Sequence, residues 1–113
     1  MIFRDFFHRP AVEQVTPQEA RSKQKAGAVI VDVREIYEWK EGHIPGAIHI
    51  PLGSLAERVQ ELDSSRETIT VCRSGHRSMS AARILQRAGF SQVSNLTGGM
   101  INWMHHQLPI KRK

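Results

Sequence analysis

The run Ala28-Val29-Ile30-Val31-Asp32-Val33 constrains the fold of this chain more than any other segment. Its apolar residues are continuous rather than alternating, which is what a parallel strand needs when helices cover both of its faces. Shorter runs with strand character recur over residues 12–15, 47–50, 68–72 and 92–96. Segments with helical spacing separate them. Thr16-Pro17-Gln18-Glu19 reads as a helix start, with Thr16 as N-cap, Pro17 at the first helical position and Glu19 three residues after the cap. That helix should stop near Gly27. Further helices are predicted over residues 35–41, ended by Gly42, and over 55–62, capped by Ser54. Two more are predicted over 77–88, stopped by Gly89, and over 100–106, after a turn at Gly98-Gly99. Repeated strand–helix alternation predicts an α/β domain: a mostly parallel sheet of about five strands with helices on both faces.

Size and composition narrow the function classes. At 113 residues the chain is one domain's worth. Its apolar fraction of 40% and charged fraction of 24% fit an ordinary soluble globular protein. No window approaches the roughly 18 uncharged apolar residues of a membrane span, and residues 1–10 lack the pattern of a signal peptide. The formal charge of +5 is dispersed, without aromatic interleaving or a basic helical stripe, which argues against nucleic acid as a partner. A lone cysteine, Cys72, excludes an internal disulfide and makes the reducing cytoplasm the expected compartment. Residues 1–11 read as an N-terminal arm in which Ile2, Phe3, Phe6 and Phe7 share one face if helical. Docking on the domain's own surface is the plainest reading, with a weak dimer contact or a membrane-surface anchor as alternatives. The domain proper is expected over 12–109, and 110–113 as a solvated basic tail.

Chemistry concentrates at Cys72-Arg73-Ser74-Gly75-His76-Arg77-Ser78. If Cys72 ends a strand and Arg77 opens a helix, the residues between must curl tightly. Successive backbone N–H groups then point into one concavity, an anion nest at the positive end of a helix. Gly75 permits the curl, and Arg73 and Arg77 add positive charge. Such surroundings favour thiolate over thiol, so Cys72 should be a nucleophile at neutral pH. The same cradle would hold an oxyanion or a sulfur-bearing anion against the sulfur.

At this point the sequence resembles a family. Asp32-Val33-Arg34, Glu38-Trp39, the segment Gly42-His43-Ile44-Pro45-Gly46-Ala47-Ile48-His49-Ile50-Pro51, the cysteine loop and Gly98-Gly99-Met100-Ile101-Asn102-Trp103 look, in this order and spacing, like a single rhodanese domain. The resemblance implies a sulfurtransferase in which Cys72 accepts sulfane sulfur from a small anion such as thiosulfate. The resulting persulfide would pass to cyanide in an assay, or to a protein or other thiol in the cell. It implies further that Arg73, Ser74, Gly75, His76, Arg77 and Ser78 bind the donor, with ping-pong kinetics and no metal or cofactor. A non-catalytic sulfur-carrier or partner-docking module is the main alternative. Related phosphatases place one residue more between nucleophile and arginine than the four found here, and tyrosine phosphatases carry His where Val71 stands. An arsenate-type reductase would want a second cysteine to resolve its intermediate.

Residues around the loop carry supporting expectations. Asp32 and Arg34 stand at the end of a central strand, where open α/β sheets bind ligands. Asp32 reads as a hydrogen-bond acceptor behind the loop. The resemblance places Arg34 near the loop, either in a structural ion pair, with Glu38 as the candidate partner, or touching the donor. His43 and His49 flank the Pro45-Gly46 turn without cysteine or carboxylate partners at ligand spacing, so they read as structural rather than metal-binding. Trp39 and Trp103 read as core or rim aromatics, and His105-His106 as a solvated helix end.

Overall fold

The computed structural model describes residues 11–112, so all of the expected N-terminal arm except Ala11 lies outside the described residues. Five strands, β1 (Glu13–Val15), β2 (Val29–Asp32), β3 (Ile48–His49), β4 (Thr68–Val71) and β5 (Val93–Leu96), form one sheet in the order β1-β5-β4-β2-β3. Every neighbouring pair is parallel. The expected mostly parallel sheet is thus wholly parallel. Among the described residues four α-helices connect successive strands, α1 (Pro17–Lys25), α2 (Ile36–Glu41), α3 (Leu52–Arg58) and α4 (His76–Arg87), and a fifth, α5 (Gly99–His105), follows β5.

The continuous apolarity of the strands has the expected cause. Along β2, Ile30 and Val31 are both fully buried but enter different cores. One core joins Val31, Val33 and Cys72 to Leu55 of α3 and to Ala81, Ala82 and Leu85 of α4. The other joins Ile30, Ile69 and Val71 to Ala20 of α1 and to Met100 and Trp103 of α5. Each large side chain buried this way contributes about 1.5–3 kcal/mol relative to exposure. Helices therefore cover both faces, giving three layers.

Local signals act as the sequence indicates in most places. Thr16 caps α1 with a complete capping box, its hydroxyl accepting from Glu19 N at 3.1 Å while Glu19 accepts from Thr16 N at 2.8 Å. Gly89, just beyond α4, takes a left-handed φ of 99°. One start is displaced: α3 begins at Leu52, and Ser54 lies inside it instead of capping it. Tertiary hydrogen bonds decide this. Ile50 N donates to Asp32 O and Leu52 N to Val33 O, both at 3.0 Å, so the chain holds to β2 until Leu52 and turns at once. Pro51, at φ −56°, fills the cap position without a side-chain bond. The helix then tightens into a 3-10 turn over Val59–Glu61.

In the basic C-terminal segment Lys111 and Arg112 are exposed, and the backbone is paired with the domain through Lys111. His43 N donates to Lys111 O at 2.9 Å and Lys111 N to His43 O at 2.7 Å, while Ile110 packs against the second core. Trp103, fully buried, donates its Nε1 hydrogen to Pro109 O at 2.8 Å and anchors the same segment. No helix among the described residues is long and apolar enough to cross a membrane.

Candidate active site

Strand order puts the site where the sequence expects a ligand. From β2 the chain continues outward to β3, and from β4 it continues the other way to β5. The loops leaving β2 and β4 therefore diverge and open a crevice at the carboxyl ends of these two strands. Arg34 and α2 follow β2, and the cysteine loop follows β4.

Cys72 directly follows β4, and the chain curls back on itself before α4 starts at His76. Gly75 makes the curl possible with a φ of 114°. The curl aims the Gly75 N–H at Cys72 Sγ, 3.1 Å away. Ser78, one helical turn on, brings its hydroxyl to 3.2 Å from the same sulfur. Burial pushes the Cys72 thiol up, but the Ser78 hydroxyl and the amides of Ser78, Gly75 and Ser74 outweigh it and hold the thiol below its ordinary value. The nest that the sequence suggests and the Ser78 hydroxyl thus lower the thiol pKa, while the flanking arginines are not among its leading causes.

The outer loop residues divide into two groups. Arg73, Ser74 and His76 are exposed on the rim, and Arg77 is partly buried. Ser78 is fully buried, so it lies beneath the sulfur rather than on the rim with the other donor-binding candidates. Cys72 itself is 1% exposed.

Charge pairing around the loop differs from the pairing the sequence suggests. Arg77 makes a two-pronged ion pair with Glu38 of α2, at 2.7 and 2.9 Å. The Arg77 hydrogen bonds hold the Glu38 carboxyl down at about 2, and Glu38 in turn raises the guanidinium. Glu38 Oε1, one of the two oxygens that Arg77 holds, also accepts from the Glu35 N–H at 2.9 Å, so the start of α2 helps to aim it. Arg34, the expected partner of Glu38, pairs with Asp32 instead: its Nη2 lies 2.8 Å from Asp32 Oδ2 and 2.8 Å from Gly42 O. Both partners are buried, and a buried guanidinium needs a planar acceptor set of this kind. The Asp32–Arg34 pair ties the end of β2 to the end of α2, behind the loop.

The Gly98-Gly99 turn brings α5 against the site, as the sequence suggests. Met100 N donates to Cys72 O at 2.8 Å and Ile101 N to Arg73 O at 3.1 Å, fixing the carbonyl side of the loop. His43 stacks on Trp39 with ring centroids 3.5 Å apart, and its Nδ1 lies 2.8 Å from Trp39 O. His49 Nε2 lies 2.8 Å from Arg34 O. Each histidine thus has one ring nitrogen at hydrogen-bond distance from a backbone carbonyl, and the described residues hold no group of three or more His, Cys, Asp or Glu suited to a metal ion. Asn95 is a neighbour that sequence reasoning missed. It is buried on β5, its Nδ2 donates to Gln14 Oε1 at 3.1 Å, and it backs onto Gly75. Nothing in its sequence surroundings separates it from an ordinary strand residue.

Known proteins share this architecture. The profile of the rhodanese-like domain matches residues 16–106. The thiosulfate sulfurtransferase GlpE of Stutzerimonas stutzeri is 39% identical over 93 residues, covering 82% of this chain and 85% of that protein. A putative sulfur carrier protein of Bacillus subtilis, YrkF, is 47% identical over 74 residues, covering 66% of this chain but only 40% of that protein. Among solved structures, a rhodanese-related protein from Thermoplasma volcanium superposes with a TM-score of 0.83 at 26% identity, covering 89% of this chain and 99% of that one.

Proposed function

Since the chain belongs to the rhodanese-like family and is a sulfurtransferase of that type, we propose that Cys72 carries the transferred sulfur as a persulfide. The donor is thiosulfate or a persulfide, and the acceptor is a thiophile, cyanide in an assay or a thiol in the cell. The observation that carries this reading is the placement of Cys72 Sγ between the Gly75 amide and the Ser78 hydroxyl. These donors stabilise the attacking thiolate and then serve a persulfide anion that forms at the same place.

The step balances simply. The thiolate attacks the outer sulfur of thiosulfate, an S–S bond forms to Cys72, and the bond to the sulfonate sulfur breaks. Sulfite leaves with the electron pair and two negative charges, while one charge stays on the persulfide. Arg73, Ser74 and His76 stand on the rim through which the donor arrives, and Arg77 stands between them and α2. In the second half-reaction the acceptor attacks the terminal sulfur and regenerates the thiolate.

Intact-mass spectrometry after incubation with thiosulfate tests this. A gain of one sulfur atom, discharged by cyanide and absent from Cys72→Ser, is the expected result. No adduct on the wild-type protein, together with hydrolysis of an aryl phosphate, would overturn the assignment. Stable loading with no turnover to any small thiophile would make the domain a carrier rather than an enzyme.

A further inference from the structure

The cysteine loop occupies the carboxyl ends of the strands, and a second concavity lies at the other end of the sheet. A cavity of about 410 Å³ opens where the last turn of α1 faces the amino ends of β1, β4 and β5. Glu67, on its wall, and Cys72 bracket β4, so the two sites are roughly 16 Å apart. The volume is that of a small-molecule site. Its lining is mainly polar, with Glu13, Lys23, Glu67, Ser91, Gln92 and Ser94 among the contributors.

Two of these side chains point to a ligand. Ser94 is 3% exposed, and its Oγ has no hydrogen-bond partner among the described residues. A buried hydroxyl with its bond unmade costs stability, so a ligand that reaches Ser94 gains a hydrogen bond the fold does not supply. Glu13 is the Cα partner of Ser94 across the β1–β5 ladder, and such partners project from the same face of a sheet. The next partners on that face, Val15 and Leu96, both enter the core beneath α1. Glu13 is exposed, and among the described residues no cation is paired with it.

The charges of the lining add to one negative. Lys23 is its single cation and closes on Glu67 at 2.8 Å, which leaves the Glu13 carboxylate in excess. The chain as a whole carries +5, but that charge is dispersed and is screened beyond about 8–10 Å. A cation in the cavity therefore meets two carboxylates against one ammonium. Ser91 and Gln92, both exposed, add uncharged hydrogen-bonding groups.

We propose that this cavity is a second binding site, for a small organic monocation that carries hydroxyl groups, an amino alcohol or aminopolyol. Its ammonium lies on Glu13 and one of its hydroxyls on Ser94. The site is separate from the cysteine loop and does not depend on the sulfurtransferase reading.

Three probes of one carbon skeleton test this by isothermal titration calorimetry on the full chain. Glucamine has both the ammonium and the hydroxyls, sorbitol has a hydroxyl in place of the ammonium, and hexylamine lacks the hydroxyls. Glucamine should bind about tenfold tighter than sorbitol and several-fold tighter than hexylamine. Glu13→Gln, at an exposed position, should bring glucamine down to the affinity of sorbitol. Ser94→Ala should weaken glucamine several-fold and leave hexylamine unchanged. Because the hydroxyl it removes is unpartnered, Ser94→Ala should also leave the urea midpoint of the free protein unchanged or raise it. Equal affinities for glucamine and sorbitol, glucamine binding that survives both substitutions, or no glucamine binding at millimolar concentration would overturn the proposal. A lower urea midpoint for Ser94→Ala would show that the fold already satisfies this hydroxyl, and would overturn it as well.

Discussion

Gly99→Ala puts the architecture of the site under the sharpest stress. Gly99 is buried, has a φ of 60°, and opens α5 against the cysteine loop. A Cβ built there would overlap the carbonyl oxygens of Cys72 and Arg73, which are backbone atoms and cannot rotate away. A left-handed backbone costs a non-glycine residue roughly 1–2 kcal/mol, and forced overpacking adds roughly 1–3 kcal/mol. If α5 backs off to relieve the overlap, the hydrogen bonds from Met100 N and Ile101 N to those same carbonyls weaken, at about 1 kcal/mol each. The sum, about 4–7 kcal/mol, is a large share of the roughly 5–15 kcal/mol that stabilises a domain of this size. Equilibrium urea unfolding followed by tryptophan fluorescence reads the loss. The rate of Cys72 alkylation in native buffer reads the loop, and it should change because the carbonyl side of the curl moves. Gly53 supplies a control: it lies in α3 with nothing within 4 Å of a built Cβ, so Gly53→Ala should be neutral or stabilising by up to about 1 kcal/mol. A Gly99→Ala protein within about 0.5 kcal/mol of wild type, with unaltered alkylation, would refute the account of how α5 holds the loop.

Four further perturbations probe the electrostatics. Ser78→Ala removes the hydroxyl 3.2 Å from Cys72 Sγ, so the thiol pKa should rise and the pH profile of iodoacetamide inactivation should move to higher pH. Arg77→Ala should move that profile less, since Arg77 is engaged with Glu38, and the reverse order would return the main role to the guanidinium. Glu38 titrates near 2 in the folded protein against an ordinary 4.5, a depressed value, so its stabilising contribution is present above about 4.5 and is lost as pH falls toward about 2. Acid unfolding of Glu38→Gln should accordingly be shallower than wild type across that window, and parallel curves would show that the pair contributes nothing there. Asp32→Asn leaves the buried Arg34 guanidinium without its counter-charge and should cost about 3–5 kcal/mol in urea unfolding. A loss under 1 kcal/mol would mean that Gly42 O alone satisfies Arg34.

Much of the site was legible in linear order because its main parts are local. The curl from Cys72 to Ser78 needs only a strand end, a glycine and a helix start, and all three stand within seven residues. The capping box at Thr16 and Glu19 is equally local and formed as read. The start of α3 was not legible, because hydrogen bonds to Asp32 and Val33 on another strand override the cap signal at Ser54. The pairing of charges was hidden for the same reason. Arg34, Glu38 and Arg77 can be exchanged among several partners on paper, and only the relative placement of β2, α2 and α4 decides which carboxylate each guanidinium meets.

The sequence by itself determined the parallel α/β fold, the position of the lone cysteine at a strand end and the curl of chain around it. Continuous apolar strands require cover on both faces, and a curl of amides around a sulfur is written in a few consecutive residues. Only the tertiary structure decided the charge of the finished site. Glu38 lies 39 residues from Arg77 along the chain, yet the pair closes at 2.7 Å and neutralises a guanidinium that has no counter-charge within its own loop. Charges act through space, over a few ångströms and between elements brought together by packing, so their balance is settled only when the fold is complete.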